Sequence, residues 1–594
     1  MKYSKIILAV SLLIGATTAC TDKWDEHYSV AQQGDGSLWQ AISADASLSN
    51  FKQVLQAASY EASLSGSQVF TVFAPNNTML TDHMRDSLIQ KYNEEKAQRI
   101  KEKDNSVVKE FIQNHISLYN YYVSNAMEDT TIRMMNGKNL AFTKDKFAGF
   151  EYLSKNNPTG NGILYTIGHV AGYQPNVYEA LAKVTEIDSV KKYITAYDLE
   201  KLDSKNSVPG EIIDGKTHYL DSVTNIENKF LETMLAAKIL NEDSCYWMVV
   251  PNNQVWNKLV DKYTKYYQYD AKVAERDSFQ YHFPRHAILF GTTFSKTDNR
   301  KIFNTGTAAA TDSLMSTLAA SYSMRKSLYG SYDKKYYQYN DPYGEGGVLT
   351  DCTAQICSNG KLLKTDKWNL PEKNTFRREI VMEAEDNRLT LDSLNINSTY
   401  NKSGDTNPGK TVKVTADNPY YNKVSGNSYL EITPSGVTNF SKALFDVRNV
   451  LSNIPYDIYV VVAPAEAGDT TATAIQKLPI IFRCALQCHN EKGEAYYVSL
   501  KNGNKLENPV LDSKGNPTTN YTKSAVYDTN RQNDPTKVDS IYIGTVTFPT
   551  CSYSTSEPQV KLIFQSYVTS SQYEKTANRT LRLDCIVFKP HDED

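Results

Sequence analysis

The chain has 594 residues, 40% of them hydrophobic, with 64 Lys and Arg against 67 Asp and Glu and a formal net charge of −3. At about 150 residues per domain it is too long for a single core and divides into three or four. The balanced charge, with no basic stripe of Lys and Arg, argues against a nucleic-acid partner, and 8 widely spaced cysteines do not make a small disulfide scaffold.

Residues 1–19 have the anatomy of a secretory signal: Lys2 and Lys5, an apolar run from Ile6 to Ile14, then small residues before a cysteine. The run is too short to span a bilayer, which takes about 20 apolar residues. Ala16-Thr17-Thr18-Ala19-Cys20 looks like a relaxed lipobox, in which cleavage before Cys20 leaves a thiol that carries lipid. Acyl chains such as palmitate would then hold the protein to the membrane, since several chains on one residue anchor stably where one is marginal. An ordinary signal peptide with a cysteine nearby is the alternative. Residues 20–35 form a polar tether, and Thr21-Asp22-Lys23-Trp24-Asp25-Glu26-His27-Tyr28 resembles the start of outer-membrane lipoproteins of Bacteroidetes type. That resemblance implies lipid anchoring in the outer membrane, facing the cell exterior or, as the alternative, the periplasm.

The next signal is written twice. Thr71-Val72-Phe73-Ala74-Pro75-Asn76-Asn77 and Trp247-Met248-Val249-Val250-Pro251-Asn252-Asn253 each read as a buried strand, stopped by proline and followed by asparagines able to cap a helix. Downstream, Asn114-His115-Ile116 and His286-Ala287-Ile288 place a histidine among apolar neighbours, and Asn161-Gly162 and Asn359-Gly360 start a short strand. Leu38 to Ala58 has apolar residues at helical spacing, the strongly charged Asp86 to Lys103 reads as a solvated helix, Val107 to Ile116 as an amphipathic helix bearing His115, and Val177 to Tyr197 as the helix-rich opening of the second copy. The order Thr-Val-Phe-Ala-Pro-Asn, helix-borne His-Ile and Asn-Gly-x-Leu-Tyr, with the Asn136-Gly137-Lys138 turn, resembles the fasciclin (FAS1) domain. The resemblance implies two α+β fasciclin-like domains, 36–175 and 176–370, the second with an insertion between Trp256 and Tyr343.

Tyrosines dominate that insertion. Tyr263, Tyr266, Tyr267 and Tyr269 form one group, and Tyr336, Tyr337, Tyr339 and Tyr343 another. Either they stack on sugar rings or a partner, or they cover the domain's own core. From 377 to 594 the texture changes to nine strand candidates separated by polar turns, which predicts an antiparallel β-sandwich. Its first strand, Met382-Glu383-Ala384-Glu385-Asp386, and its last, Leu581 to Pro590, resemble the ends of a galactose-binding-like jelly roll used as a carbohydrate-binding module. By that resemblance Glu383, Glu385 and Asp584 could share a structural calcium, and Tyr420, Tyr421, Tyr496 and Tyr497, with Tyr336 and Tyr337, are the candidate ligand-binding aromatics. Solvated carboxylates on an exposed face are the alternative. Cys484 and Cys488 lie about 13 Å apart along one strand, so they are core thiols or one of them bridges Cys551 or Cys585. Cys352 and Cys357 are the pair expected to bridge.

No Gly-x-Ser-x-Gly elbow, phosphate loop or dinucleotide fingerprint occurs. His282 and His286 have zinc-pair spacing, but Pro284 lies between them and no glutamate follows His282, so a metalloprotease reading fails. The expectation is a non-enzymatic, lipid-anchored surface protein that captures glycan or peptide for an outer-membrane importer. An adhesion or structural protein that binds other surface proteins or host matrix is the alternative.

Overall fold

The computed structural model describes residues 34–202, 208–213, 215–221, 224–319, 336–385, 409–433, 440–498, 500, 509–519 and 524–591. The signal, Cys20 and most of the tether lie outside the described residues. The chain falls into two units: one runs to Glu179 and takes in Leu240–Ser244 and Ile356–Gly360, and the other holds the remainder.

In the first unit α1 (Leu38–Ala44), α2 (Ser49–Ala57) and α3 (Glu61–Ser65) precede β1 (Phe70–Pro75) and α4 (Asp82–Ala97). The helical period from Leu38 to Ala58 is divided by caps: Ser37 accepts from Gln40 N to begin α1, and Asp45 accepts from Ser47 N to begin the next turn. Strands β2 (Ile116–Leu118), β3 (Thr130–Arg133), β4 (Asn139–Phe142), β5 (Lys146–Phe147), β6 (Phe150–Thr159) and β7 (Gly162–Ile167) join β1 in one sheet, ordered β2-β1-β7-β6-β5-β4-β3. A bridge from Ser117 to Met134 closes that sheet on itself. Alternation along the strands gives it two apolar faces. Phe73, Ile163, Tyr165 and Ile167 point inward, where Phe73 stacks 3.7 Å from Phe147 and 4.9 Å from Tyr165. Phe70, Val72, Ala74 and Leu164 pack outward on Leu38, Phe51, Leu55 and Ile112. A Cβ on Gly162 would stand 2.1 Å from the Phe70 carbonyl oxygen, so only glycine lets β7 begin this close to β1.

Asparagine side chains tie these pieces together. Asn77 Oδ1 accepts from Asn50 N at 3.0 Å and its Nδ2 donates to Ala46 O at 3.0 Å, which pins the start of α2 to the end of β1. Asn161, 6% exposed, accepts from Leu38 N at 2.7 Å and donates to Leu64 O at 2.9 Å and Gly66 O at 2.7 Å. The Asn136-Gly137-Lys138 turn, with Gly137 at φ +81, presents the buried Lys138 ammonium to Glu179 at 2.5 Å and Glu242 at 2.6 Å.

The second unit opens within α5 (Val177–Lys183) and continues through α6 (Asp188–Thr195). Strands β8 (Asp198–Leu202), β9 (Val208–Ile213), β10 (Lys216–Asp221) and β11 (Thr224–Asn228) follow, as two ladders, β8 with β11 and β9 with β10. The sequence reading missed them; in the first unit only α3 occupies this place. Next come β12 (Tyr246–Pro251), α7 (Asn253–Thr264), α8 (Arg276–Leu289), β13 (Thr293–Ser295), α9 (Arg300–Thr305), β14 (Ser313–Met315), β15 (Gln338–Asn340), β16 (Cys352–Cys357) and β17 (Gly360–Thr365). The main sheet here is β13-β12-β17-β16, and part of the expected insertion, 320–335, lies outside the described residues.

The repeated heptapeptide makes the same bonds twice. Asn76 N donates to Ile167 O at 3.0 Å and Asn252 N to Thr365 O at 2.9 Å. Asn253 Oδ1 accepts from Ser189 N at 2.9 Å while its Nδ2 donates to Thr185 O at 3.1 Å, as Asn77 does in the first copy. The histidines, by contrast, are not equivalent. Phe73 N donates to His115 O and Val249 N to Thr292 O, both at 2.9 Å, so Thr292 is the counterpart of His115. His115 follows a single wide turn, Val108–Ile112, rather than lying in a long helix. It is fully buried, lies 2.7 Å from Phe111 O through Nδ1 and accepts from Ala171 N through Nε2, and burial lowers its pKa to about 4. His286 instead sits inside α8, which runs through Pro284.

The remaining strands are β18 (Ile380–Glu383), β19 (Lys410–Lys413), β20 (Ser428–Ile432), β21 (Lys442–Val447), β22 (Pro455–Val462), β23 (Ile481–His489), β24 (Ala495–Val498), β25 (Arg531–Gln532), β26 (Asp539–Thr547), β27 (Val560–Ser566) and β28 (Leu581–Pro590). All nine expected strands are present, and the short polar strands β19 and β25 are added. They form a six-stranded sheet, β19-β20-β28-β22-β26 with β18 on β28, and a five-stranded sheet, β21-β27-β23-β24 with β25 on β23. Each buries an apolar face, through Ile458, Val460, Ile586 and Phe588 in the first and Phe482, Cys484, Leu562 and Phe564 in the second.

The first tyrosine group cements this β-module to the helices before it. Tyr263, Tyr267 and Tyr269 are buried. Tyr267 meets Tyr553 edge-on at 5.7 Å, Tyr269 OH donates to Tyr553 O at 2.8 Å, and Cys551 N donates to Gln268 O at 2.6 Å. Ser452 adds three bonds: its hydroxyl donates to Lys265 O and accepts from Gln268 N, and its amide donates to Tyr266 O. The expected Cys352–Cys357 bridge does not exist: the two residues end one strand five positions apart, on opposite faces and beyond disulfide reach. Cys484, Cys488, Cys551 and Cys585 are buried thiols.

Asn161→Ala strands three backbone partners and is expected to lose about 3 kcal/mol, read as a lower denaturation midpoint of the first unit. Tyr267→Ala should cost about 3–5 kcal/mol and lower the calorimetric transition of the second unit.

Candidate functional site

The β-module carries the two arrangements of polar side chains with most chemical potential. The first surrounds β28. Asp584, fully buried, accepts from Ser425 N at 2.9 Å, and Ser425 Oγ donates to Glu383 at 2.5 Å. Ser428 Oγ donates to Glu385, also at 2.5 Å. β18 ends at Glu383, so Glu385 reaches the cluster from a turn rather than from the same strand. Burial pushes the Asp584 carboxyl up to about 8, helped by the charges of Glu383 and Glu385 and opposed by the Ser425 amide. The three carboxylates expected to share calcium are therefore neighbours. As placed they are held by serines, and among the described residues no group of three or more His, Cys, Asp or Glu stands at metal-holding geometry.

The second arrangement is the outer face of the five-stranded sheet, where pairing sets three rows across the strands. Lys442, Gln565 and Arg483 form a polar row; Leu444, Ile563 and Ala485 an apolar one; Asp446, Lys561, Gln487 and Tyr497 a second polar row. Val526 and Tyr527 cover the apolar row. Arg483 lies between two rings, 4.2 Å from the Tyr527 centroid and 4.0 Å from Tyr567, while its Nε donates to Gln565 at 2.9 Å. Tyr567 stacks on Phe440 at 5.6 Å, and the Arg579 guanidinium lies 5.0 Å from Phe440 and 4.7 Å from Tyr573. Two guanidinium groups, each lying between two aromatic rings, are thus joined through the Tyr567–Phe440 stack. Burial, with the charge of Arg483 added, lowers Lys442 to about 8. At the same edge Asp528 accepts from Cys484 N at 2.7 Å and pairs with Arg531, and burial lifts its pKa to about 6.

The six aromatics named from sequence are not brought together. Tyr497 is buried under Val526 and Tyr527, and Tyr337 is buried on Leu318 and Ala319, so as placed neither offers a ring face to a ligand. Tyr336 packs beside Tyr337, with Arg378 5.3 Å from its ring. Tyr496, half-buried, sits beside Cys488 on the opposite face of β24 from Tyr497. Tyr420 donates to Thr536 O at 2.9 Å and packs on the outer cover of the six-stranded sheet, and Tyr421 beside it is exposed. Sequence reasoning passed over Arg483 and Arg579; an arginine alternating with core residues, as in Phe482-Arg483-Cys484, was the available signal.

Residues 46–171 match the Fasciclin domain family. Among solved structures, the FAS1 domain pair of the insect cell adhesion molecule fasciclin I is 12% identical, covering 55% of this chain and 98% of that one, with a TM-score of 0.18. A xylan-binding domain of carbohydrate-binding module family 22 is 10% identical over 32% of this chain and 86% of its own, at 0.17. The mannan-recognising module TmCBM27 is 8% identical over 36% and 99%, at 0.15. Likenesses this distant carry no argument about the chain. No curated protein is matched.

The raised Asp584 sets a pH dependence. Between its ordinary value of 3.8 and about 8 the folded state holds a proton that the unfolded state has released. This group therefore takes stability away as pH rises through that window, by at most about 1.4 kcal/mol per pH unit. Asp584→Asn should flatten the profile, measured as thermal midpoints from pH 4 to pH 8.

Proposed function

We propose that the chain is a lipid-anchored surface binding protein. Its fasciclin domain would engage another surface protein, and its β-module would capture glycan for an outer-membrane importer. The match of residues 46–171 to the Fasciclin domain family carries the surface-binding part. Adhesive and protein-binding roles are those that the fasciclin resemblance implies, and fold alone names no ligand. The glycan part is supported by the outer face of the five-stranded sheet, where Arg483 and Gln565 offer fixed planar donors and acceptors beside the half-buried ring of Tyr567. Preorganised groups of this kind bind hydroxyl-rich ligands without first losing side-chain freedom. In this reading the second module repeats the fasciclin-like architecture, and the two packed sheets are a jelly-roll sandwich.

The purified protein applied to a glycan array tests it. Saturable binding weakened at least about tenfold by Arg483→Ala supports capture. No glycan binding, together with co-purification of another surface protein, supports the adhesion alternative. Anchoring through Cys20 is tested separately: Cys20→Ser should release the protein from membranes. A structural calcium at Glu383, Glu385 and Asp584 belongs to the same proposal, because a cation there would offset the burial that raises Asp584 and the added repulsion from Glu383 and Glu385. Its sign would be a higher thermal midpoint in calcium than in chelator, abolished by Asp584→Asn.

A further inference from the structure

Helix α8 continues through Pro284 and sets His282 and His286 one turn apart on one face. Their ring centroids lie 5.9 Å apart with planes at 36°. Two imidazoles that share one divalent ion through nitrogens at about 2.0–2.1 Å bring their centroids to about 4.5–5.2 Å, so the observed separation is within about 1 Å of a chelate's and a small side-chain rotation closes it. His282 Nδ1 lies 2.9 Å from the Tyr193 hydroxyl and 2.8 Å from that of Tyr197. With the proton on Nδ1 and donated to these oxygens, the Nε2 lone pair is left for a metal. This outer support is what a ligating histidine ordinarily has.

His286 supplies an independent sign. The residue is 7% exposed and enclosed by Phe230, Phe283 and Phe290, yet its Nε2 is buried and meets no hydrogen-bond partner among the described residues. A buried polar atom left in that state points to an ion or water as its natural partner. His282 is only half-buried, and Tyr281 next to it is 51% exposed, so the pair can be reached from solvent.

We propose that His282 and His286 form a binding site for one divalent transition ion, with Tyr193 and Tyr197 orienting the first ring and water completing the coordination. An imidazole pair selects Cu2+, Ni2+ or Zn2+ over Ca2+ and Mg2+. The site is distinct from metalloprotease chemistry, for which the glutamate after the first histidine is missing and Phe283 stands instead. It is also independent of the glycan and adhesion readings, since none of its residues belongs to the β-module or to residues 46–171.

The test uses the full chain, stripped with chelator and titrated calorimetrically with Ni2+. One saturable site per chain is expected, weakened at least about tenfold by His282→Ala and by His286→Gln, and about tenfold by Tyr197→Phe. His591→Ala should leave it unchanged. Cu2+-loaded protein should show superhyperfine coupling to two imidazole nitrogens in its electron paramagnetic resonance spectrum, reduced to one by His282→Ala, a readout that altered stability does not imitate. Absence of saturable Ni2+ binding, or full affinity in a folded variant carrying both His282→Ala and His286→Gln, overturns the proposal.

Discussion

A fully buried strand has to leave its backbone ends somewhere, and in this protein asparagine amides receive them. β1 is buried at every position and pairs with β2 on one side and with parallel β7 on the other. Parallel pairing demands a long excursion between the two strands, and every turn in that excursion exposes donors and acceptors that the interior cannot leave unpaired. Asn77 and Asn161 carry both a donor and an acceptor on a short stem, so each can close two segments distant in sequence at once. Asn161 joins the first helix, the third helix and the start of β7 in a single side chain. Asn253 repeats the Asn77 pattern on β12, and Asn359 accepts from Val177 N at 2.8 Å as Asn161 does from Leu38 N. The heptapeptide is repeated because the same backbone problem is solved twice by the same groups.

Tyrosine does comparable work farther along the chain. Between the second set of helices and the β-module the seam must bury apolar area and still satisfy loop carbonyls. A ring with a hydroxyl at its tip does both. Tyr267 packs on Tyr553, and Tyr269 reaches the Tyr553 carbonyl. The helices and the two sheets are consequently one unit, and Tyr267 and Tyr269 are committed to holding it together.

The outer face of the five-stranded sheet follows another rule. A guanidinium placed over a strand loses water, and the faces of Tyr527 and Tyr567 return part of that stabilisation to Arg483 while Gln565 fixes its orientation. The carboxylates around Asp584 are the opposite case: three acids brought close, with serine hydroxyls and one amide as partners, so that burial is met by retaining a proton.

From the sequence alone, the doubled strand and all nine expected strands of the C-terminal region could be derived, because periodicity and turn chemistry are local; the asparagine cap forms only in the second copy, at Asn252, whereas Thr81 caps α4 in the first. Lys410–Lys413 and the ladders from Asp198 to Asn228 escaped notice, since polar strands have no apolar alternation to announce them. Tertiary structure decided everything that depends on which distant groups meet. It made Thr292, not His286, the partner of His115 in the repeat, because pairing register and not residue type sets equivalence. It buried Tyr497 and Tyr337, which by composition could equally have faced solvent. It also assembled the stack of Arg483, Tyr567, Phe440 and Arg579, residues far apart in sequence that only sheet pairing and loop return bring within contact.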